Sequence, residues 1–446
     1  MNNGVEVITA PEWLNCEDKI GQYMEDTDYD IVVDSDMDFY APIPFGEVNS
    51  EENIIFKFRR GVFTKEEQVG AYDGLLGAAL PTQNRGKAAG ATRGRLGGRD
   101  WVTPIQFDVM EHYINQTTNL FDSDPIAEIL KKHENPDGVN TRGIVWLRTK
   151  VTDSGYNYES YFIEKMRQWA EMSPDEATAD ALLVRKTMIS ETTYANTVLS
   201  GIAGFFDRYP RIPYGRSTAY TEQNFETYSK CYPFMRKLSD KFAELLPSRY
   251  DIQNSTAAKL DPKFRVAGED TPFTTITVNK NFRTACHRDA GDLAEGFSNL
   301  TVVAKGDKNW TGGYLVLPEF RIAINIRPGD LLLINNHAGI HGNTELLPPE
   351  GMTLADMERI SLVCYFRENM VSLGSYDYEI IRKEFVDHRR LNKEHSLWRH
   401  LWNGVSPSMW DSDEWYSYLE THGGRQMVAD YHPEALQQKT SLESFF

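Results

Sequence analysis

Between Phe273 and Phe366 apolar and polar residues alternate with a period of two. FTTITVNKNF, NLTVVAKG, GYLVLPEFRIAINI, DLLLIN and RISLVCYF read as short strands, rich in Val, Ile, Thr and aromatics and set apart by Gly, Pro and Asp. Such a run predicts a sandwich or jelly roll. Upstream, from about Asp108 to Leu246, the spacing is mainly helical. Tyr228, Cys231, Met235, Leu238, Phe242 and Leu245 recur at steps of three and four, an apolar stripe on a helix that ends before Pro247 and can kink or restart at Pro233. DRYPRIPYGR (Asp207 to Arg216) holds two prolines in ten residues and reads as an ordered loop. Helical spacing returns in the last 80 residues. Ile381, Phe385 and His388, then Leu397 and Leu401, fall on apolar faces beside Trp398, Trp402, Trp410 and Trp415.

The chain has 446 residues, 41% of them hydrophobic and 12% aromatic, which suits a packed core. No apolar run approaches the length that spans a bilayer. The start, MNNGVEVITAPEW, lacks the basic, apolar and small-residue segments of a secretory signal, so an intracellular location without membrane is expected. Cys16, Cys231, Cys286 and Cys364 lie far apart and read as reduced thiols packed like small apolar groups.

The formal net charge of -18 argues against nucleic acid until it is localised. Residues 1–55 hold 14 acids against Lys19 alone, a net of -13, which leaves -5 for the other 391 residues. Aromatics at Trp13, Phe39 and Tyr40 and the triplet Ile31 to Val33 make that acidic segment too apolar for disorder. It reads as a segment packed on the main body, as a solvated, loosely packed leader, or as an intramolecular cover for a basic loop. That loop is TQNRGKAAGATRGRLGGR (Thr82 to Arg99), in which Arg85, Lys87, Arg93, Arg95 and Arg99 meet no acid. A positive surface remains there.

Candidate chemistry sits in the β region. In CHRDAGD, His287 and Asp289 are separated by one residue, so on an extended segment both face one way while Arg288 and Cys286 face the other. Two imidazoles and one carboxylate form the facial triad of non-haem iron oxygenases. The third ligand comes from NNHAGIHGNT, where His337 and His341 compete; His341 stands at the loop entry and is preferred. Alone, an HxD pair arises by chance. Here it follows a strand, His341 follows another, and RISLV begins 18 residues later with Arg359 and Ser361 on one strand face. There a guanidinium can grip a carboxylate with two parallel hydrogen bonds and a hydroxyl can add one. This suits 2-oxoglutarate, with its keto acid end on iron and its distal carboxylate on Arg359.

These residues resemble the oxygenase domain of the TET/JBP family of Fe(II)- and 2-oxoglutarate-dependent DNA dioxygenases. CHRDAGD, NLTVVAKG, GGYLVLPEFRIAINIRPGD, HGNT and RISLV carry the likeness. NRGKAAG (Asn84 to Gly90) and GIAGFFDRYPRIPYGR (Gly201 to Arg216) extend it toward the J-binding-protein thymine hydroxylase branch, over roughly residues 57–370. The resemblance implies an α+β fold with a double-stranded β-helix (jelly roll, cupin-like) core flanked by helices. It also implies Fe(II) on His287, Asp289 and His341, with 2-oxoglutarate on Arg359 and Ser361 and O2 as the second cosubstrate. The implied reaction is hydroxylation of the 5-methyl group of thymine or 5-methylcytosine in DNA. Such a methyl group is buried in the duplex, so the base must be flipped out; Asn84 or Arg85 could reach it, and Lys87, Arg93, Arg95 and Arg99 could hold phosphates. Cysteine-rich zinc modules have no counterpart in this chain.

The domains expected are an acidic segment (1–56), a dioxygenase domain (57–370) with a helical region (108–246) and a β-helix core (271–368), and a helical, Trp-rich extension (371–446). Two rivals stand beside the leading reading. One keeps the chemistry but acts on a free nucleotide, a small molecule or a protein side chain; the other is a DNA-binding module on an inactive jelly roll.

Overall fold

The computed structural model describes residues 4–42, 50–82, 85–90, 196–208, 212–289, 291–305, 309–336, 339–391 and 413–436. Much of the 108–246 helical stretch therefore lies outside the described residues, as do Asn84, Arg93, Arg95, Arg99, His337, Leu397, Leu401, Trp398, Trp402 and Trp410. The chain divides into two compact units. The first takes Met1–Gly94, Tyr194–Arg208 and Gly215–Tyr376, and the second takes Arg95–Thr193, Tyr209–Tyr214 and Asp377–Phe446.

The first unit is α+β. In chain order its strands are β1 (Glu6–Thr9), β2 (Ile31–Val33), β3 (Met37–Tyr40), β4 (Ile54–Arg59), β5 (Pro81–Thr82), β6 (Val198–Phe206), β7 (Arg216–Ser217) and β8 (Thr275–Lys280). They continue with β9 (Ser298–Ala304), β10 (Thr311–Gly312), β11 (Leu315–Leu317), β12 (Ile322–Ile324), β13 (Leu331–Ile334), β14 (Gly342–Asn343), β15 (Leu346–Leu347) and β16 (Arg359–Tyr365). The large sheet runs β1-β3-β4-β13-β9-β16-β8-β6-β5, with β7 beside β6, and a smaller one runs β14-β11-β12-β2. β10 and β15 form a separate pair. Only β1 with β3 and β2 with β12 are parallel among the described strands.

The expected strands are present, with two corrections. GYLVLPEFRIAINI is not one strand but the hairpin β11–β12, because Pro318 starts a short turn and Arg321 adopts a left-handed conformation (φ 54°) that reverses the chain. Arg321 is held there by Asp30 at 2.6 Å. The second correction falls in the helical stretch, whose described part includes the nine-residue strand β6. Gly201 explains its placement: a Cβ there would lie 1.8 Å from the Ala78 carbonyl oxygen, so only glycine lets β6 pass.

One face of the large sheet packs on helices. Ile360, Leu362 and Cys364 of β16 and Ile276 and Val278 of β8 meet Tyr228, Cys231, Met235, Leu238 and Phe242, the predicted stripe, all fully buried. Pro233 stands in the first turn of the helix Tyr232–Leu245 and Pro247 begins the next, Pro247–Ala257, where the missing amide hydrogen costs no helical bond. The opposite face places Phe56, Phe58, Leu332 and Ile334 against Leu315, Leu317, Ile322 and Ile324 of the smaller sheet. Each such side chain stabilises by about 1.5–3 kcal/mol when fully buried.

The acidic N-terminal residues are woven into this unit rather than loosely attached. β3 pairs with β4, β2 extends the smaller sheet, and Gly21 and Gln22 exchange backbone hydrogen bonds with Cys286 at 2.7 Å. Their charges are answered locally, by Lys19 on Asp28, Arg59 on Asp38, and Arg288 on Glu17. In the second unit Tyr378, Ile381, Phe385, Trp415, Leu419 and Val428 form one cluster between the helices Tyr376–Leu391 and Asp413–Tyr431. His388, expected on an apolar face, is exposed. No helix among the described residues is long and apolar enough to cross a membrane.

Candidate active site

The two halves of the suspected triad are joined by backbone. His287 and His341 form a hydrogen-bonded antiparallel pair, N–H to O at 2.8 and 2.9 Å, which sets both imidazoles on one side with ring centroids 4.5 Å apart. Gly342 allows this approach, since a Cβ there would lie 2.9 Å from the Cys286 nitrogen. Asp289 completes the group. One ligand atom from each of His287, Asp289 and His341 lies within 4.8 Å of the others, and this is the only such group among the described residues. His287 Nε2 is 3.2 Å from Asp289 Oδ1, and His341 Nε2 is 3.8 Å from Oδ2.

Neighbouring groups orient the three. His287 Nδ1 lies 2.8 Å from the Ala285 carbonyl oxygen; in the tautomer that donates to this oxygen, Nε2 carries the lone pair a metal needs, and although burial opposes protonation, Asp289 and the Ala285 carbonyl raise the imidazole above its ordinary value. Asn336 Nδ2 donates to Asp289 Oδ2 at 3.0 Å, and the Asp289 amide donates to the Asn336 carbonyl at 3.2 Å. Burial opposes ionisation of Asp289, but the two imidazoles and Asn336 hold its carboxyl down to about 2. Burial and the neighbouring His287 charge push His341 down to about 4. Asp289 charged and His341 neutral are the states in which a metal accepts them. Cys286 packs with Met24, Val316 and Ile340, and burial pushes its thiol up to about 12; it is no ligand.

The triad lies in a cavity of about 500 Å³ with Arg359 and Ser361 on its wall, as the shared strand face requires. Arg359 is buried without a carboxylate partner among the described residues. Its Nε has no acceptor, its Cζ lies 5.6 Å from the Trp310 ring centroid, and burial together with the Arg327 charge lowers it to about 10. An orphaned guanidinium in a cavity fits an incoming carboxylate. The donor set of two imidazoles and one carboxylate, with orienting hydrogen bonds in place, likewise fits a divalent iron.

The basic loop is only partly described. Lys87 is exposed on the short turn Gly86–Ala89, whereas Arg85 lines the cavity and donates to Ser200 Oγ at 2.7 Å. Arg85 is therefore not on an open phosphate-facing surface. The acidic segment does reach this loop, through the Tyr23 hydroxyl, which donates to the Ala89 carbonyl at 3.1 Å.

Several site residues escaped the sequence reading. Asp292, raised to about 8 by burial and the Asp289 charge, accepts from Ser298 Oγ at 2.5 Å. It stands three residues after Asp289 in HRDAGD, a spacing that was visible. Asn336, Asn279 and Ser200 carry no local signal. Neither does the pair Arg367–Asp207, in which Nε lies 2.5 Å from Oδ1 and Cζ sits 4.0 Å over the Phe206 ring.

With this geometry in hand, the likeness to known proteins can be placed. Residues 202–368 match the Tet_JBP family, the oxygenase domain of the 2OGFeDO superfamily, so the family resemblance holds over this segment. The chain is 33% identical over 205 residues to a thymine dioxygenase JBP1 of Leishmania braziliensis, covering 44% of this chain and 24% of that protein. It is also 33% identical over 187 residues to thymine dioxygenase JBP1-B of Trypanosoma cruzi, covering 41% and 21%. The chain thus spans about a quarter of the length of these relatives. A solved structure of NgTET1 in complex with 5mC DNA is similar at 18% identity and a TM-score of 0.32, over 42% of this chain and 69% of that one.

Proposed function

We propose that this chain is an Fe(II)- and 2-oxoglutarate-dependent dioxygenase that hydroxylates the 5-methyl group of a pyrimidine, thymine or 5-methylcytosine, in DNA. The observation that carries the reading is one cavity holding both a His–Asp–His group and a buried guanidinium with no acid of its own among the described residues. The family match over residues 202–368 and the relatives' activity as thymine dioxygenases support it. The two facing sheets are taken as a double-stranded β-helix, with 271–368 as its core.

His287, Asp289 and His341 would hold the iron, and Arg359 with Ser361 the distal carboxylate of 2-oxoglutarate. Bound there, iron, O2 and 2-oxoglutarate supply the chemistry that turns a methyl C–H into C–OH while 2-oxoglutarate leaves as succinate and carbon dioxide. This chain's own task is positioning. Asn336 aims the Asp289 carboxylate, the Ala285 carbonyl selects the His287 tautomer, and the Trp310 face steadies Arg359. No side chain has to remove a proton from the methyl group. The base must leave the duplex to enter the cavity, where Asn84 or Arg85 can meet its edge. Lys87, with Arg93, Arg95 and Arg99, is proposed to hold the phosphates.

Incubation with DNA, iron and 2-oxoglutarate, followed by nucleoside mass spectrometry, tests the reading. A hydroxymethylated pyrimidine formed together with succinate is expected. Succinate from a free nucleotide or peptide, with DNA left unmodified, moves the substrate elsewhere; no succinate under any condition leaves a binding module.

A further inference from the structure

Among the described residues the cavity wall carries four arginines, and three already have a role. Arg288 turns to Glu17 and Glu319, Arg367 to Asp207, and Arg359 is proposed for the cosubstrate. Arg85 is the fourth. Among the described residues its one hydrogen bond is to a neutral group, the Ser200 hydroxyl oxygen that accepts from Nε, while the Asp289 charge favours its ionised form from a distance. The Ser200 hydroxyl in turn donates to Asn279 Oδ1.

The strand register makes this a built feature. Ser361 on β16, Asn279 on β8 and Ser200 on β6 stand directly opposite one another, so one polar row crosses three strands and ends at Arg85. Two strand spacings, about 10 Å, separate Ser361 from Ser200. A diacid held by the triad at one end and by Arg359 at the other keeps one carboxylate oxygen free beside the triad, fewer acceptors than the N–H groups Arg85 still has to match. The guanidinium is donor-only, with one of its five N–H groups used. Half-buried on the cavity wall, its remaining N–H groups can donate to a second ligand that presents acceptors.

We infer that Arg85, aimed by Ser200 and Asn279, is a specificity-determining residue that reads a carbonyl on the polar edge of the flipped base and so favours thymine over 5-methylcytosine. The inference rests on the DNA reading above and deepens it. Thymine offers an oxygen acceptor at the position where cytosine carries an amino group. A donor facing that amino group leaves both unpaired, which sets the discrimination at about 10- to 100-fold.

The test uses the full chain with iron and 2-oxoglutarate on two oligonucleotides that differ only in thymine or 5-methylcytosine at one site. Hydroxymethyl products are counted by mass spectrometry for wild type, Arg85→Gln and Ser200→Ala. The 2-oxoglutarate Michaelis constant is measured separately, from succinate formed without DNA. Wild type should prefer thymine. Arg85→Gln, whose amide both donates and accepts, should reduce the preference at least tenfold, and Ser200→Ala should reduce it by less, with the 2-oxoglutarate constant within twofold of wild type in both. Base oxidation with a preference that neither variant changes overturns the assignment alone. A 2-oxoglutarate constant that rises as it does for Arg359→Lys also overturns it, because Arg85 would then serve the cosubstrate. Hydroxymethylation of neither base, with succinate still formed, overturns the DNA reading and this assignment with it. Should Arg85→Gln fail to fold, Ser200→Ala carries the same comparison with the arginine retained.

Discussion

Arg359 and Arg367 sit at opposite ends of one segment, the first at the start of β16 and the second two residues beyond its end, and both face the cavity. Arg367 is complete within the protein, with Asp207 at 2.5 Å and the Phe206 ring beneath it at 4.0 Å. Arg359 has an aromatic face at 5.6 Å and, among the described residues, no carboxylate and no acceptor for its Nε. The difference separates a structural charge from a binding charge. Both are removed from water, yet one is matched on folding while the other is matched only when a ligand arrives.

The harshest way to break the comparison is to remove what both arginines surround. Replacing His287, Asp289 or His341 by Ala should abolish turnover and sharply weaken iron binding, whereas His337→Ala should keep the metal; iron content after desalting decides between them. If His337→Ala loses iron and His341→Ala keeps it, the third ligand is misassigned.

Arg359→Lys comes next, keeping the charge but losing the planar fork. The 2-oxoglutarate Michaelis constant should rise strongly, and less for Ser361→Ala, since one charge-assisted hydrogen bond contributes about 1.5–3 kcal/mol. Steady-state succinate formation against 2-oxoglutarate concentration measures both, and an unchanged constant in both variants would sink the cosubstrate assignment.

The structural arginine should behave oppositely. Asp207→Asn leaves the Arg367 guanidinium facing a neutral amide in a buried setting, so stability should fall by about 1–3 kcal/mol by denaturant melt. The 2-oxoglutarate constant should stay near wild type; a large rise there with unchanged stability would reverse the two roles. Smallest of all is Glu17→Gln. Its pair with Arg288 is partly exposed on both sides, so less than about 1 kcal/mol is expected, and the loss should shrink further in high salt.

Much of this site was legible in the chain. One intervening residue in HRD puts His287 and Asp289 on the same side of an extended segment, and the same rule puts Arg359 and Ser361 on the cavity face while Ile360, Leu362 and Cys364 go to the core. Steps of three and four named the stripe that buries Tyr228 through Phe242, with prolines marking where its helices begin. These inferences need only the backbone period and the side chain's polarity, both local.

What required the tertiary structure is long-range. β6 did not announce itself as a strand because its two glycines blur the alternation, and their reason, the close approach to Ala78 and Thr274, lies on other segments. The acidic segment could be read as packed or as loose because its partners, Cys286, Arg288 and Arg321, are more than 250 residues away. Arg85 looked like a surface charge in a glycine-rich loop, and only the β6–β8 register shows Ser200 and Asn279 waiting for it inside the cavity. Sequence alone determined which side chains share a face, since that follows from strand and helix geometry. Which faces meet, and which charges are left for a ligand, was decided by the packing, because a charge is matched or unmatched only by what folding brings beside it.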